Sequence, residues 1–300
     1  MLFRTRTLRF AALVVIIAAG GISGTALARQ GSASPLQAAL AKTAAAGSSR
    51  FTFAFTLSGV TGLPGGAISL TGSGAADSRH GSAIVHLNLG ALAKSLGALA
   101  GGAALPPTID IVVVHNVLYV HLAALAKQLA PGKEWLKLDP RTLPKSTTGG
   151  AKLSQLSTIG QKQALAALTG AVNVEKVGSD KVRGTPATHY SGSVDISSFA
   201  LALPKSQQAA FLQGVKQVGL KKIPLDIWID GSSYVRRISA HVDHLKVQAA
   251  GPAVSFRMSV DSFGFGAKLK IKAPPAAKTA DASKLLGQIA GRRNRVGVAA

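Results

Sequence analysis

The chain alternates. From Ile223 to Ile238 (IPLDIWIDGSSYVRRI), Ile223, Leu225, Ile227 and Ile229 fall on one face of an extended backbone while Asp226 and Asp230 fall on the other. Side chains of a strand alternate with a period of two, so such a passage buries one face and wets the other. Gly231-Ser232-Ser233 interrupts the run, and Tyr234, Ile238, Ala240 and Val242 resume the apolar row beyond a short turn. The same one-sided pattern recurs in Phe51/Phe53/Phe55/Leu57, Ala83/Val85/Leu87/Leu89 and Val254/Phe256/Met258/Val260, and a second long alternating passage runs from Val182 to Asp195. Strands that each own one apolar face need a common apolar volume to look into. Either protein or a lipid must occupy it.

Strands are predicted at Arg50–Ser58, Ala67–Ala75, Ser82–Leu89, Glu134–Leu138, Ala171–Val177, Val182–Asp195, Lys222–Asp230, Tyr234–Leu245, Ala253–Phe265 and Lys268–Lys272. A hairpin joins Thr108–Val114 to Val117–His121 across His115-Asn116. Helical signals are fewer. Ser34 is placed to cap a helix with Pro35 at its first position, running Leu36–Ala46 until Gly47 ends it. Gly90–Ala104, rich in alanine, leucine and glycine, reads as a loose helix over the mouth of the sheet, closed by Pro106-Pro107. Ala123–Leu129, Leu153–Leu168 and Ser206–Val218 read as further helices, and Thr142–Gly150 as a polar linker between two similar halves. Alternation dominates, which predicts an α+β architecture. It is one continuous, strongly curved antiparallel half-barrel sheet with a few helices packed on its concave face.

The ends read differently. Arg4, Arg6 and Arg9 precede an apolar run at Phe10–Ala19 and an A-x-A site at Ala26-Leu27-Ala28, the arrangement of a secretory signal over residues 1–28. The alternative, an uncleaved anchor helix, is disfavoured because Gly20, Gly21, Ser23, Gly24 and Thr25 cut the apolar run short of the ~20 residues a span needs. A single domain over 29–276 and a basic, flexible tail over 277–300, with Arg292-Arg293-Asn294-Arg295, complete the expected organisation. The expected location is extracytoplasmic, secreted or in the cell envelope. Cysteine is absent from the sequence, so burial and not disulfides must hold an exported chain together. A chain of this length can bury ~70–75% of its unfolded surface, which makes that feasible.

Net charge is +22, three of the positive charges belonging to the signal arginines. Such an excess attracts polyanions, and an exported chain meets anionic lipid headgroups or acidic wall polymers. The basic residues are scattered, however, and Lys268, Lys270 and Lys272 alternating with Ala267, Leu269 and Ile271 read first as a solvated face that deters edge pairing. Two tryptophans and three tyrosines are too few for a base-stacking platform, so no nucleic-acid partner is expected.

Catalytic chemistry is hard to place. Only 12 acidic residues are present, and Asp226, Asp230, Asp243 and Asp261 fall on faces predicted to be wet. No convergent carboxylate pair of the glycosidase kind stands out. His80, His86, His115, His121, His189, His241 and His244 read as surface histidines, and His241 and His244 point to opposite faces of one strand. No serine satisfies G-x-S-x-G, Gly132-Lys133 is followed by Glu134 instead of Ser or Thr, and Gly264-Phe265-Gly266 lacks the third glycine of a dinucleotide fingerprint. The expectation is a non-enzymatic protein with no metal and no cofactor.

What remains is the apolar face. Phe51, Phe53, Phe55, Val85, Leu87, Tyr119, Tyr190, Ile227, Ile238, Phe256 and Met258 are the candidate lining residues. Aromatic residues make up 5% of a chain that is 47% hydrophobic, and a curved sheet faced partly by alanine and glycine can leave space for an apolar ligand. Helix side chains can equally plug that space.

A set of passages occurs in a recognisable order across Pro35 to Ala276. They are the N-terminal helix leading to Arg50–Leu57, IDIVVVHNVLYVHL with KEWLKLD (Lys133–Asp139) after it, GSDKVRGTPATHYSGSVD (Gly178–Asp195), Ile223–Ile238 and FGFGAKLKIKAPPA (Phe263–Ala276). This order resembles the LppX/LprG-type envelope lipoproteins of actinobacteria, within the broader LolA/LolB-like lipid-carrier fold. The resemblance implies a half-barrel clasping helices around a hydrophobic cavity that holds acyl chains of a lipid or glycolipid, in a protein expected to be monomeric. Family members carry an acylated cysteine after the signal, and this chain has Ala28-Arg29 there. The departure favours a carrier without a lipid anchor. The alternative expectation is a structural or adhesive envelope protein that binds acidic wall polymers or anionic membrane through its basic surface.

Overall fold

A computed structural model of the chain describes residues 35–59, 66–90, 92–93, 106–139, 141–142, 172–201, 205–217, 219–246 and 253–282. The expected signal segment, the helix over Leu153–Leu168 and most of the Gly90–Ala104 and Thr142–Gly150 stretches lie outside these residues. Among the described residues, no helix is long and apolar enough to cross a membrane.

The strands are β1 (Ser48–Ser58), β2 (Ala67–Asp77), β3 (Ser82–Asn88), β4 (Thr108–Val114), β5 (Val117–His121), β6 (Trp135–Leu138), β7 (Val172–Val182), β8 (Thr185–Asp195), β9 (Lys222–Asp230), β10 (Val235–Lys246), β11 (Ala253–Phe263) and β12 (Thr279–Asp281). They form one curved, unclosed sheet in the order β12-β6-β5-β4-β3-β2-β1-β11-β10-β9-β8-β7. Two meanders, β1 to β6 and β7 to β11, are therefore joined by a single seam. There Arg50 to Ser58 of β1 pair with Phe263 to Ser255 of β11. Pairing is antiparallel throughout except at the edge, where β12 joins β6 in parallel and makes the sheet mixed.

The registers sort the strand connections to two ends. At one end the turns are tight: Ser78–Gly81, His115-Asn116, Arg183-Gly184 and Gly231–Tyr234. His115 and Asn116 have φ of 50° and 63°, and Arg183 and Gly184 have 51° and 80°. Two successive left-handed residues make the turn whose twist matches that of the flanking strands. At the other end every connection is longer: 59–66, 89–107, 122–134, 196–221 and 247–252. Helices α2 (Ala123–Leu129), α3 (Ile196–Leu201) and α4 (Lys205–Gln217) belong to this second end.

Helix α1 (Pro35–Ala45) enters the sheet's apolar face. Leu36, Ala39 and Leu40 pack with Val194, Leu225, Ile227, Ile229, Val235, Ala240 and Met258. A polar clasp fixes its depth: the Thr43 hydroxyl donates to the Ala39 carbonyl at 2.7 Å and accepts from the Val235 N–H at 2.9 Å, both in the buried interior.

Several expectations need correcting. The alternating passage Val182–Asp195 is not one strand, because Arg183-Gly184 turns the chain and hands its first part to a longer β7. Lys268–Lys272 belongs to no strand. Both edges of β11 are already taken by β1 and β10, so the chain beyond Gly264 (φ 61°) and Gly266 (φ 73°) has no free edge to join. It travels instead to β6, and Thr279–Asp281, inside the stretch expected to be tail, pairs there. Helix α3 was not foreseen; Asp195 caps it, accepting from the Ser197 N–H at 2.8 Å.

Replacing Thr43 by valine keeps the shape but leaves the Val235 N–H without its acceptor. We expect a loss of about 1–3 kcal/mol, read as a lower urea midpoint with unchanged slope.

Candidate functional site

Cross-strand partners in an antiparallel sheet share a face, so the registers define continuous rows. One row runs Ile109–Leu87–Gly72–Phe53–Val260–Ile238–Ile227–Tyr190 across eight strands. The next runs Leu70–Phe55–Met258–Ala240–Leu225–Gly192–Val174. A third holds Ile111, Val85, Gly74 and Phe51, and a fourth Ile68, Leu57, Phe256 and Val242. Ten of the eleven candidate lining residues therefore share the inner face. Tyr119 does not: it pairs with Val112 and, through it, with Ile84, all on the outer face. Ile109, Ile111, Leu225 and Val260 are inner residues that the list of candidates lacked.

The rows divide into two clusters that meet at Phe256. One is the α1-covered half already described; the other joins Phe51, Phe53, Phe55, Leu70, Ala76, Val85 and Leu89. Phe256 packs against both, and its ring lies 5.4 Å from that of Phe55. Around the buried phenylalanines, Leu57, Leu87, Ile109, Ile111, Ile238, Phe256 and Val260 remain only half-buried.

The phenylalanines lie down on the sheet. A Cβ built on Gly72 would stand 2.4 Å from Phe53 Cζ, and one on Gly74 would stand 2.6 Å from Phe51 Cζ. Each ring thus occupies the space over the directly paired glycine of β2. Backbone carbonyls of His86 and Ile84 would also be met, at 2.6 and 2.4 Å. Rings laid over glycines lie along the inner face of the sheet.

Apart from the row of Ile84, Val112 and Tyr119, the outer face is largely polar. One of its rows reads Asp110–His86–Ser73–Thr52–Asp261–Arg237–Trp228–His189. Arg237 makes a two-pronged pair with Asp261 at 2.6 and 2.7 Å. His86 meets Asp110 at 2.7 Å, and His189 meets Asp226 at 2.9 Å while stacking on Trp228 at 4.3 Å. His189 is thus partnered and half-buried, more constrained than the surface histidine expected. A shallow depression of about 500 Å³ on this face is bounded by Thr52, Thr71, Ser73, His86, Asn88 and Asp110. Among the described residues, no three metal-ligating side chains converge.

Three buried aspartates organise the end with the tight turns. Asp230, expected to be wet, is 7% exposed. Its carboxylate accepts from the N–H groups of Ser232 and Tyr234, both at 2.9 Å, and pairs with Arg236. Asp77 accepts from the Arg79 and His80 N–H groups and meets the His80 ring at 2.8 Å. Burial pushes the Asp77 carboxyl up, but the hydrogen bonds from His80 outweigh it and leave it below the ordinary value. Asp139 binds the Arg141 guanidinium at 2.9 and 2.8 Å, and those hydrogen bonds lower its pKa from 3.8 to about 2.

No family model matches the chain. A 31.2 kDa Streptomyces griseus protein encoded in the rplA-rplJ intergenic region is 28% identical over 162 residues, 52% of this chain and 51% of that one. The chain therefore spans about half the length of the curated relative it matches. Among solved structures, the Mycobacterium tuberculosis lipoprotein LppX is similar at a TM-score of 0.45 and 12% identity, covering 79% of this chain and 96% of LppX. LprF of Mycobacterium bovis is similar at 0.43 and 13%, covering 81% and 96%.

Two outcomes follow from the site. Gly72→Ala forces a methyl group into Phe53 and the His86 carbonyl and should cost about 1–3 kcal/mol in thermal or urea unfolding. Gly231→Ala, where a Cβ meets nothing within 4 Å, should cost far less. Because the Asp139 carboxyl is depressed in the folded state, its contribution is complete above about pH 4 and is lost as pH falls through about 2. Asp139→Asn should therefore lower the melting temperature at pH 7 and flatten its fall between pH 4 and 2.

Proposed function

We propose that this protein is a non-enzymatic, exported lipid-binding carrier that shelters acyl chains against the inner face of its half-barrel. The observation that supports this most is the inner row from Ile109 to Tyr190, uninterrupted by charge over eight strands and only half-buried at Leu87, Ile109, Ile238 and Val260. Phe51 and Phe53 flattened over glycines make it a wall. Val85, Phe55, Tyr190, Ile227, Phe256 and Met258 extend that wall, and Tyr119 is excluded from it by register. Apolar contact would supply the affinity, at roughly 25 cal/mol per Å² before the entropic cost of association.

The sequence resemblance to LppX/LprG-type carriers supports the same reading, with the carrier acting as a monomer in the envelope or outside it. The cargo class is a lipid or glycolipid with long acyl chains. The basic exterior suits work beside anionic membranes.

Protein purified from its own host, analysed by native mass spectrometry and then extracted, should release stoichiometric lipid. Leu87→Trp, on the inner face, should weaken uptake of a fluorescent fatty acid about tenfold or more, whereas Tyr119→Trp, on the outer face, should leave it unchanged. Equal effects of the two, or no uptake by the unmodified protein, would reject the reading.

A further inference from the structure

The two ends of the half-barrel differ in charge as well as in length of connection. The connections 59–66, 89–107, 122–134, 196–221 and 247–252, which join strand ends at one end, contain one acidic residue, Glu134. Between them they carry Lys94, Lys127, Lys133, Lys205, Lys216 and Lys221. At the other end Asp77, Asp139 and Asp230 offset arginines next to the turns. Lysine thus outnumbers acid at the end where α2 and α4 leave and rejoin the sheet, where Glu134 is paired with Lys278 and Asp195 caps α3.

Those two helices also expose leucine. Leu125 on α2 is 44% exposed and Leu212 on α4 is 40% exposed; the other large exposed apolar residue among those described, Val177, lies on edge strand β7. Leu212 and Lys216 stand one turn apart on the same side of α4, both exposed. Lys127 follows Leu125 on α2, and Lys221 and Lys222 stand exposed where the α4 connection rejoins β9. Exposed leucines and lysines on the same two connections suit a bilayer interface, with the alkyl group in the acyl boundary and the ammonium at phosphate depth. An acidic wall polymer would be served by the lysines alone and would leave both leucines in water.

We propose that the end of the half-barrel carrying α2 and α4 docks on bilayers of anionic lipid, with Leu125 and Leu212 as apolar anchors and Lys127, Lys216, Lys221 and Lys222 as headgroup contacts. Bound this way, the sheet stands with its tight turns in solvent and its apolar concavity facing the lipid. The inference builds on the lipid-binding reading, and its test is separable because fatty-acid uptake can be measured with no bilayer present.

The absence of cysteine lets one probe be placed without removing others. Leu212→Cys, Leu125→Cys and, in the tight turn at the opposite end, Ser232→Cys are each labelled with an environment-sensitive fluorophore. They are mixed with vesicles of phosphatidylcholine alone or with phosphatidylglycerol. The labels at 125 and 212 should shift to the blue on the anionic vesicles only, and the label at 232 should not. In flotation assays, Lys216→Gln and Lys221→Gln should each weaken anionic-vesicle binding roughly fivefold, with fatty-acid uptake unchanged. A shift at 232 without one at 212, equal binding to neutral vesicles, or full competition by a soluble polyanion would overturn the proposal. Failure of uptake with docking intact would count against the carrier reading only.

Discussion

The structure depends on the register between β1 and its two neighbours. Phe51, Phe53 and Phe55 face inward only because Phe53 stands opposite Gly72 on one side and Val260 on the other. A slip of one residue would turn all three rings into solvent and bring Arg50, Thr52 and Ala54 inside. The glycines of β2 protect against that slip. Each ring fits over the residue without a side chain, and Thr71 and Ser73, one position away, would collide with it. Packing here fixes pairing, and pairing in turn sets which side chains form the wall.

Much of this was legible from alternation. Period-two runs located almost every strand to within two or three residues, and Pro35 with Gly47 bracketed α1. The reading failed where local pattern and tertiary demand diverge. Val182–Asp195 hides its own turn: Val182 pairs with Thr185, so the alternation changes phase there, and only Gly184 marked the break. Asp230 sits on the outer face as expected, yet the turn it caps folds back over it. Tyr119 was judged by its bulk, whereas its face is set by pairing with Val112, which no single-strand pattern reveals. The glycine pair of β2 was visible as T-G-S-G but means nothing until Phe51 and Phe53 are known to stand opposite.

The asymmetry between the two ends bears on how such a protein could do both of its proposed tasks. Tight, aspartate-capped turns make one end stiff, so the rows of the inner face keep their alignment. Long connections rich in leucine, alanine and lysine gather at the other. Between the two ends the inner rows carry no charge from β4 across the sheet to β8, and Lys176 of β7 stands at their margin.

The seam between β1 and β11 carries one more implication, for biogenesis. It unites residues about two hundred positions apart, and β6 receives its final neighbour only when Thr279–Asp281 arrives. A chain still emerging from a translocation pore would hold two unfinished meanders with open edges until nearly all of it had crossed. Contacts so distant along the chain form slowly. If the chain is exported as proposed, crossing unfolded would suit it, and its open edges would need cover until the last strands had arrived.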